Sequence, residues 1–258
     1  MTGDRTALVV AHPGHELRVH GWLETVRPRT TVLTDGSGSQ GTSRLDATAR
    51  VLERAGASRA APFGTYRDRE VYDNMLAGRV EVFTGLAQRL ADDFVKNDIR
   101  CVVADGADGY NPTHDLCRYV VNAAVRRAAA VGPSVIRNLA FSLVGEPSRP
   151  LPAAAGPVEV VRLDAAALDR KLAAARDYAE LRREVEAALE GGQADAYGTE
   201  YLWPVSADLS LSLNGRPYYE TYGEQQVAAG QYRQVLRLRE HFLPIVEALA
   251  AFASDGTR

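Results

Sequence analysis

Thr6-Ala7-Leu8-Val9-Val10-Ala11-His12-Pro13-Gly14-His15-Glu16 is the stretch that decides the fold. Its opening run is apolar without alternation, the pattern of a strand covered on both faces of a parallel sheet. The run stops at two histidines separated by proline and glycine, and residues 17–26 then take helical spacing. A buried strand, a short polar turn and an amphipathic helix form the repeating unit of doubly wound α/β proteins.

That unit recurs along the chain. Residues 30–34 read as a second strand, closed by Asp35 and a glycine-rich loop. The helix after it spans 43–55, with Ser43 and Asp46 in a loose capping arrangement and Gly56 as its stop. Residues 60–74 read as irregular and polar-aromatic, and 75–95 as helical. A third buried strand, 99–104, ends in Asp105-Gly106-Ala107-Asp108-Gly109 and leads to a helix at 114–130 and a strand at 134–141. Beyond these, 158–163 adds a strand and 165–189 a long amphipathic helix. Residues 191–223 lack periodicity and carry Tyr197, Tyr201, Trp203, Tyr218, Tyr219 and Tyr222. The last helix is placed at 224–251, kinked by Pro244. The expected architecture is a Rossmann-like, doubly wound, mostly parallel sheet with helices on both faces and a C-terminal helical extension. One domain is expected over 1–258, with its core at about 5–163.

Composition narrows the function classes. The 258 residues are 46% hydrophobic, enough for a sizeable core, and the formal net charge of −3 lacks the basic excess that nucleic-acid backbones require. Cys101 and Cys117 are the two cysteines and read as buried thiols, as suits a reducing compartment. No export signal opens the chain, and no run approaches the ~18 apolar residues of a membrane span. A cytoplasmic protein acting on a small molecule is expected, without nucleic-acid or membrane partners and with a homo-oligomer left open.

In an open parallel sheet, ligands bind beyond the carboxyl ends of the strands. Three polar clusters fall there: 12–16, 35–41 and 105–115. His12 and His15, three apart at a helix start, can face the same way. His114 arrives from another strand end. Three imidazoles with one open position are a known catalytic zinc set, although a strand-end histidine also serves as a cap or hydrogen-bonding group. His20 and His241 lack such company and read as structural.

His12-Pro13-Gly14-His15-Glu16 after an alanine-ended strand resembles the first signature, Ala-His-Pro-Asp-Asp-Glu, of the PIG-L (LmbE-like) deacetylases. Asp108-Gly109-Tyr110-Asn111-Pro112-Thr113-His114 resembles that family's second signature, in which His-Pro-Asp-His opens a helix. Ser43-Arg44-Leu45-Asp46 resembles its arginine–acid helix, with weaker echoes around Lys171 and Glu200. The likeness covers about 5–145. It implies a zinc-dependent hydrolase that removes acetyl groups from N-acetylated sugars and related amides; another divalent metal is also compatible. His12 and His114 match metal ligands, and His15 stands where the family has a ligand aspartate. Three neutral ligands leave more positive charge at the ion, which favours deprotonation of its water.

The same comparison exposes departures. Gly14 occupies the position of the family's general-base aspartate and has no group to take a proton. Asn111 replaces a histidine that assists the tetrahedral intermediate and retains an amide that can donate to an oxyanion. Thr113 replaces the aspartate that orients that histidine. Glu16, Asp115, Asp105 and Asp108 are the carboxylates that could stand in as base. Glu16 and Asp115 each neighbour a proposed ligand and equally suit the work of orienting an imidazole or capping a helix.

Gly36-Ser37-Gly38-Ser39-Gln40-Gly41 fits G-x-G-x-x-G, but it does not follow the first strand, and no acid closes a strand about 20 residues later. A loop whose amides at Gly36 and Ser37 hold a hydroxyl-rich or anionic substrate is the preferred reading, with Arg44 as substrate anchor. The aromatic stretch reads first as core or subunit packing and second as a sugar-binding face. Against a zinc amidohydrolase stand three alternatives: a binding protein that has lost the reaction, a metal enzyme of another reaction type, and a nicotinamide or flavin enzyme using the 36–41 loop.

Overall fold

A computed structural model describes residues 5–38, 41–132, 135–145, 147–152, 154–179, 182, 186, 197–210 and 215–255. The chain is an α/β protein built on one seven-stranded, mostly parallel sheet. In chain order the strands are β1 (Thr6–Val10), β2 (Arg29–Thr34), β3 (Ser58–Tyr66), β4 (Cys101–Asp105), β5 (Arg137–Phe141), β6 (Glu159–Arg162) and β7 (Thr199–Pro204). Their order in the sheet is β3-β2-β1-β4-β5-β7-β6, parallel from β3 to β5, with β7 antiparallel to both of its neighbours.

The described helices are α1 (His20–Val26), α2 (Leu45–Ala55), α3 (Asp68–Leu76), α4 (Val80–Lys96), α5 (Pro112–Val131), α6 (Ala165–Arg176), α7 (Tyr218–Ala228) and α8 (Leu243–Ser254). They cover both sheet faces, and β1 shows why its sequence is apolar throughout. Ala7 and Val9 enter the core under α4, α5 and α8. Leu8 and Val10 enter the opposite core under α1 and α2. Successive residues of a strand point to opposite faces, so a strand between two helical layers has no solvent side. Truncating the fully buried Leu8 to alanine is expected to cost about 2–5 kcal/mol.

Five segments differ from the sequence-based expectation. Residues 60–74, expected to be irregular, hold the edge strand β3 and the start of α3. Two register shifts against β2 and the proline at position 62 had broken its alternation. The helix expected at 75–95 is instead the end of α3 and a separate α4, divided at Ala77-Gly78-Arg79. The aperiodic 191–223 stretch contains β7. The expected helix at 165–189 ends at Arg176, and most of its remainder from 180 lies outside the described residues. The expected helix at 224–251 is α7, a connecting segment, a π-helical turn (Leu238–Phe242) and α8. Pro244 therefore starts a helix, where its missing N–H is no loss.

The order of strands places the crevice. From β1 the chain winds outward through β2 to β3, then returns to pair β4 with the other side of β1. The carboxyl ends of β1 and β4 thus meet at the topological switch point. No described helix is long and apolar enough to cross a membrane.

Candidate functional site

His12 leaves the end of β1, His15 opens the short 3-10 helix (His15–Val19) behind it, and His114 lies in the first turn of α5 after β4. The structure brings all three into mutual edge contact. Ring centroids are 5.2 Å apart for His12 and His15, 5.3 Å for His12 and His114, and 4.7 Å for His15 and His114. His20 and His241 take no part in these contacts and lie elsewhere, on α1 and in the π-helical turn.

Outer partners orient two of the rings. His12 Nδ1 lies 2.9 Å from Asp68 Oδ1 and 2.8 Å from Thr34 Oγ1. His15 Nδ1 lies 2.8 Å from Asp105 Oδ2. A carboxylate only accepts, so both imidazoles donate from Nδ1 and keep the Nε2 lone pair free. The Thr34 hydroxyl is itself fixed, donating to the Ala11 carbonyl. Burial works to raise the Asp68 carboxyl. The hydrogen bonds from His12 and the Gly38 amide outweigh it and hold Asp68 well below the usual carboxylate range.

Burial lowers the pKa of His12, and lowers that of His114 well below the ordinary imidazole value, helped there by the neighbouring His15 and His12. Both shifts favour the neutral ring, the form that ligates metals. His12 Nε2 and His114 Nδ1 are buried without a hydrogen-bond partner. Such orphaned atoms are costly and mark a place that a further group completes. Among the described residues, no group of three or more His, Cys, Asp and Glu side chains is set to hold a metal ion as the rings stand. The ring separations are nonetheless close to those of three imidazoles around one tetrahedral ion: nitrogen–zinc bonds of ~2.1 Å put the centroids about 5 Å apart.

The carboxylates divide by role. Asp105, fully buried at the end of β4, accepts through one oxygen from both the Ala11 amide (2.7 Å) and His15, and so ties β1 to β4 across the crevice. Glu16 is also fully buried, but both its oxygens are engaged: Oε1 accepts from Tyr178 (2.5 Å) and Oε2 from the Gly14 amide (2.8 Å). Burial raises its pKa against the pull of those bonds. Asp115 Oδ1 accepts the amides of Asp108 (2.9 Å) and Gly109 (3.1 Å), fixing the turn that leads to α5. Burial, then the charge of Asp108, pushes Asp115 up to about 8. Asn111 is the N-cap of α5, its Oδ1 accepting from the Thr113 amide at 2.8 Å, which leaves its amide nitrogen available to donate. Gly14 sits at φ 101, a left-handed conformation that side chains disfavour.

The glycine-rich loop lies against this pocket. Arg44 Nε donates to the Gly36 carbonyl at 2.6 Å, so part of this arginine is spent holding the loop. A Cβ on Gly36, at φ +67, would lie 2.8 Å from both Arg44 Nε and Pro13 Cδ, so the loop packs directly on the histidine-bearing turn. The Ser37 amide is taken by Asp35 (2.9 Å), and the Gly38 amide by Asp68 (2.6 Å). Sequence reasoning missed Asp68 and Thr34. Asp68 opens α3 inside a stretch without apparent periodicity, and its position at a helix start after Arg67 was the one available signal.

Solved structures with the same fold include the zinc-inhibited form of teicoplanin deacetylase Orf2, at TM-score 0.56 and 13% identity over 78% of this chain and 97% of that one. A deacetylase–bog complex from the teicoplanin biosynthesis pathway gives TM-score 0.54 and 14% identity over the same shares. At these identities the likeness establishes the fold. No family model and no curated protein matches the chain.

Proposed function

We propose that this chain is a zinc-dependent amidohydrolase that deacetylates an N-acetylated amino sugar or a small N-acyl metabolite, with the metal held by His12, His15 and His114. One observation carries the reading. Of three contacting imidazoles, the buried His12 and the half-buried His15 turn Nδ1 to carboxylates and keep Nε2 for a ligand, at the switch point of the sheet. The occurrence of this fold in a deacetylase supports hydrolysis, and the zinc-inhibited form of that enzyme supports a metal at such a site without choosing the working ion.

Bound there, zinc supplies a Lewis acid that polarises a carbonyl and acidifies water. The chain's own residues prepare the rest. Asp68, Thr34 and Asp105 fix the tautomers and aim of His12 and His15. The Asn111 amide donates to a carbonyl oxygen as that oxygen gains charge. Asp115 holds the 108–109 turn, and with it the approach to His114. Arg44 contacts the substrate's hydroxyl or anionic groups; the Gly36 and Ser37 amides, expected from the sequence to do so, are instead taken by Thr34 and Asp35.

A second reading, a pocket that binds without hydrolysing, is favoured by Gly14 and Glu16. The first has no side chain to accept a proton, and the second has both oxygens engaged. Elemental analysis and an assay over N-acyl sugars separate the readings. About one metal per chain in the wild type and much less in His15→Ala, together with deacetylation, is the expected result. Equal metal content in both proteins overturns the ligand set. Retained metal without turnover assigns the chain to the second reading.

A further inference from the structure

Tyr110, Tyr218, Tyr222 and Tyr232 are between 38% and 47% exposed, and they are not scattered. Tyr110 stacks on Tyr218 with centroids 4.9 Å apart and planes within 5° of parallel. Tyr218 continues to Tyr222 at 6.1 Å, Tyr222 to Tyr232 at 6.3 Å, and Tyr232 to Tyr72 at 5.6 Å. Both ends are rooted beside the histidine pocket. Tyr110 immediately precedes Asn111, the cap of the helix that carries His114. Tyr72 lies one helical turn after Asp68, the partner of His12. The Tyr219 amide, donating to the Gly109 carbonyl at 3.4 Å, docks α7 onto the same loop.

The charges along α7 are spent on one another. Arg216 and Arg237 each pair with both Glu220 and Glu224. The strip therefore offers ring surface and phenol hydroxyls, with no free charge from these four groups. A ligand that alternates apolar C–H faces with hydroxyls, and is itself neutral, matches that surface; exposed apolar strips of this kind mark binding sites. The parallel contact with Tyr218 fixes the Tyr110 ring in advance, which lowers the cost of binding against its open face.

We infer that the tyrosine strip is a rail for the neutral sugar units of an oligosaccharide that extends out of the histidine pocket. This rests on the reading that the pocket takes an N-acylated sugar, and it makes the natural substrate a glycan rather than a free monosaccharide.

Calorimetric titration of the full chain with N-acetylglucosamine and with its β-1,4-linked tetramer tests the rail. The tetramer is expected to bind about tenfold more tightly than the monomer. Tyr218→Ala brings that ratio close to one, whereas Tyr218→Phe, which keeps the stacked ring, preserves most of it. Circular dichroism confirms that the variants are folded, and Tyr222→Ala provides a second interruption if Tyr218→Ala is not. Equal affinity for monomer and tetramer in the wild type overturns the rail. So does a ratio that survives both interruptions, or a strip that takes a proline-rich peptide and no sugar. If the wild type binds no metal while the tetramer preference persists and depends on Tyr218, the hydrolase reading falls and the rail stands.

Discussion

Asp68 reaches His12 from a helix that begins 56 residues later in the chain: its Oδ1 lies 2.9 Å from the imidazole Nδ1, while its Oδ2 takes the Gly38 amide at 2.6 Å. One side chain thus sets both the aim of a proposed ligand and the position of the glycine-rich loop. Asp68→Asn is expected to weaken zinc affinity about 10–100-fold, the usual effect of losing a carboxylate behind a ligating histidine. Competition against a chromophoric chelator measures it. Unchanged affinity would remove His12 from the ligand set.

Glu16 is expected to matter for stability and not for turnover. Tyr178→Phe removes the donor to Glu16 Oε1 and leaves a buried carboxylate short of a partner, at a cost of about 1–3 kcal/mol. Melting temperature should drop by about 2–4 °C per kcal/mol in a chain of this size. Glu16→Gln should melt lower yet retain its kcat on any substrate found. A variant that melts like the wild type but loses kcat would return Glu16 to the chemistry.

The clamp on α7 should be sensitive to acid. Hydrogen bonds from Arg216 and then Arg237 pull the Glu224 carboxyl down to about 2. A depressed carboxyl stabilises the folded state at pH values above its unfolded pKa of 4.5, and that contribution disappears as pH falls from 4.5 towards 2. The group is fully exposed, so salt screens the effect as well. Wild type and Glu224→Gln should therefore differ in melting temperature at pH 6 in low salt, differ by less at pH 3, and converge at about pH 2 or in 1 M salt. A difference that is constant with pH would show that the clamp acts through packing alone.

Much of this was legible in the sequence, for reasons that particular residues make plain. Residues 6–11 and 99–104 read as strands, and β1 and β4 lie at Thr6–Val10 and Cys101–Asp105, because burial of both faces leaves an uninterrupted apolar run. Strand β3 was hidden because an edge strand with register shifts need not alternate, and β7 because Glu200 and Trp203 interrupt any period. The three histidines were found because local spacing and strand ends converge on them. Asp68 and Thr34 were missed because their value is tertiary. Each acts on His12 across the fold, and no local pattern records that contact. Lys171 and Glu200, visible only as faint echoes, prove to be partners 29 residues apart.

That last pair gives a prediction in which charge and hydrogen bonding can be separated. Lys171 Nζ donates to Glu200 Oε1 at 2.7 Å and to the Arg18 carbonyl at 3.1 Å, and both side chains are buried. Glu200 also accepts the Gly21 amide through Oε1 and the Trp22 amide through Oε2, both at 2.8 Å. It therefore satisfies two orphan donors of the first turn of α1, the helix just behind His15. Lys171→Met removes the cation and strands the carboxylate, and should cost about 3–5 kcal/mol. Glu200→Gln strands the ammonium beside a neutral amide, and should cost about 3–5 kcal/mol as well. The double variant Lys171→Met with Glu200→Gln removes both charges from the site but keeps an oxygen towards α1, so it should be more stable than either single variant. Chemical denaturation of the four proteins measures this. If the double variant instead loses the sum of the two single losses, charge compensation is not what the pair provides, and the capping of α1 alone explains its burial.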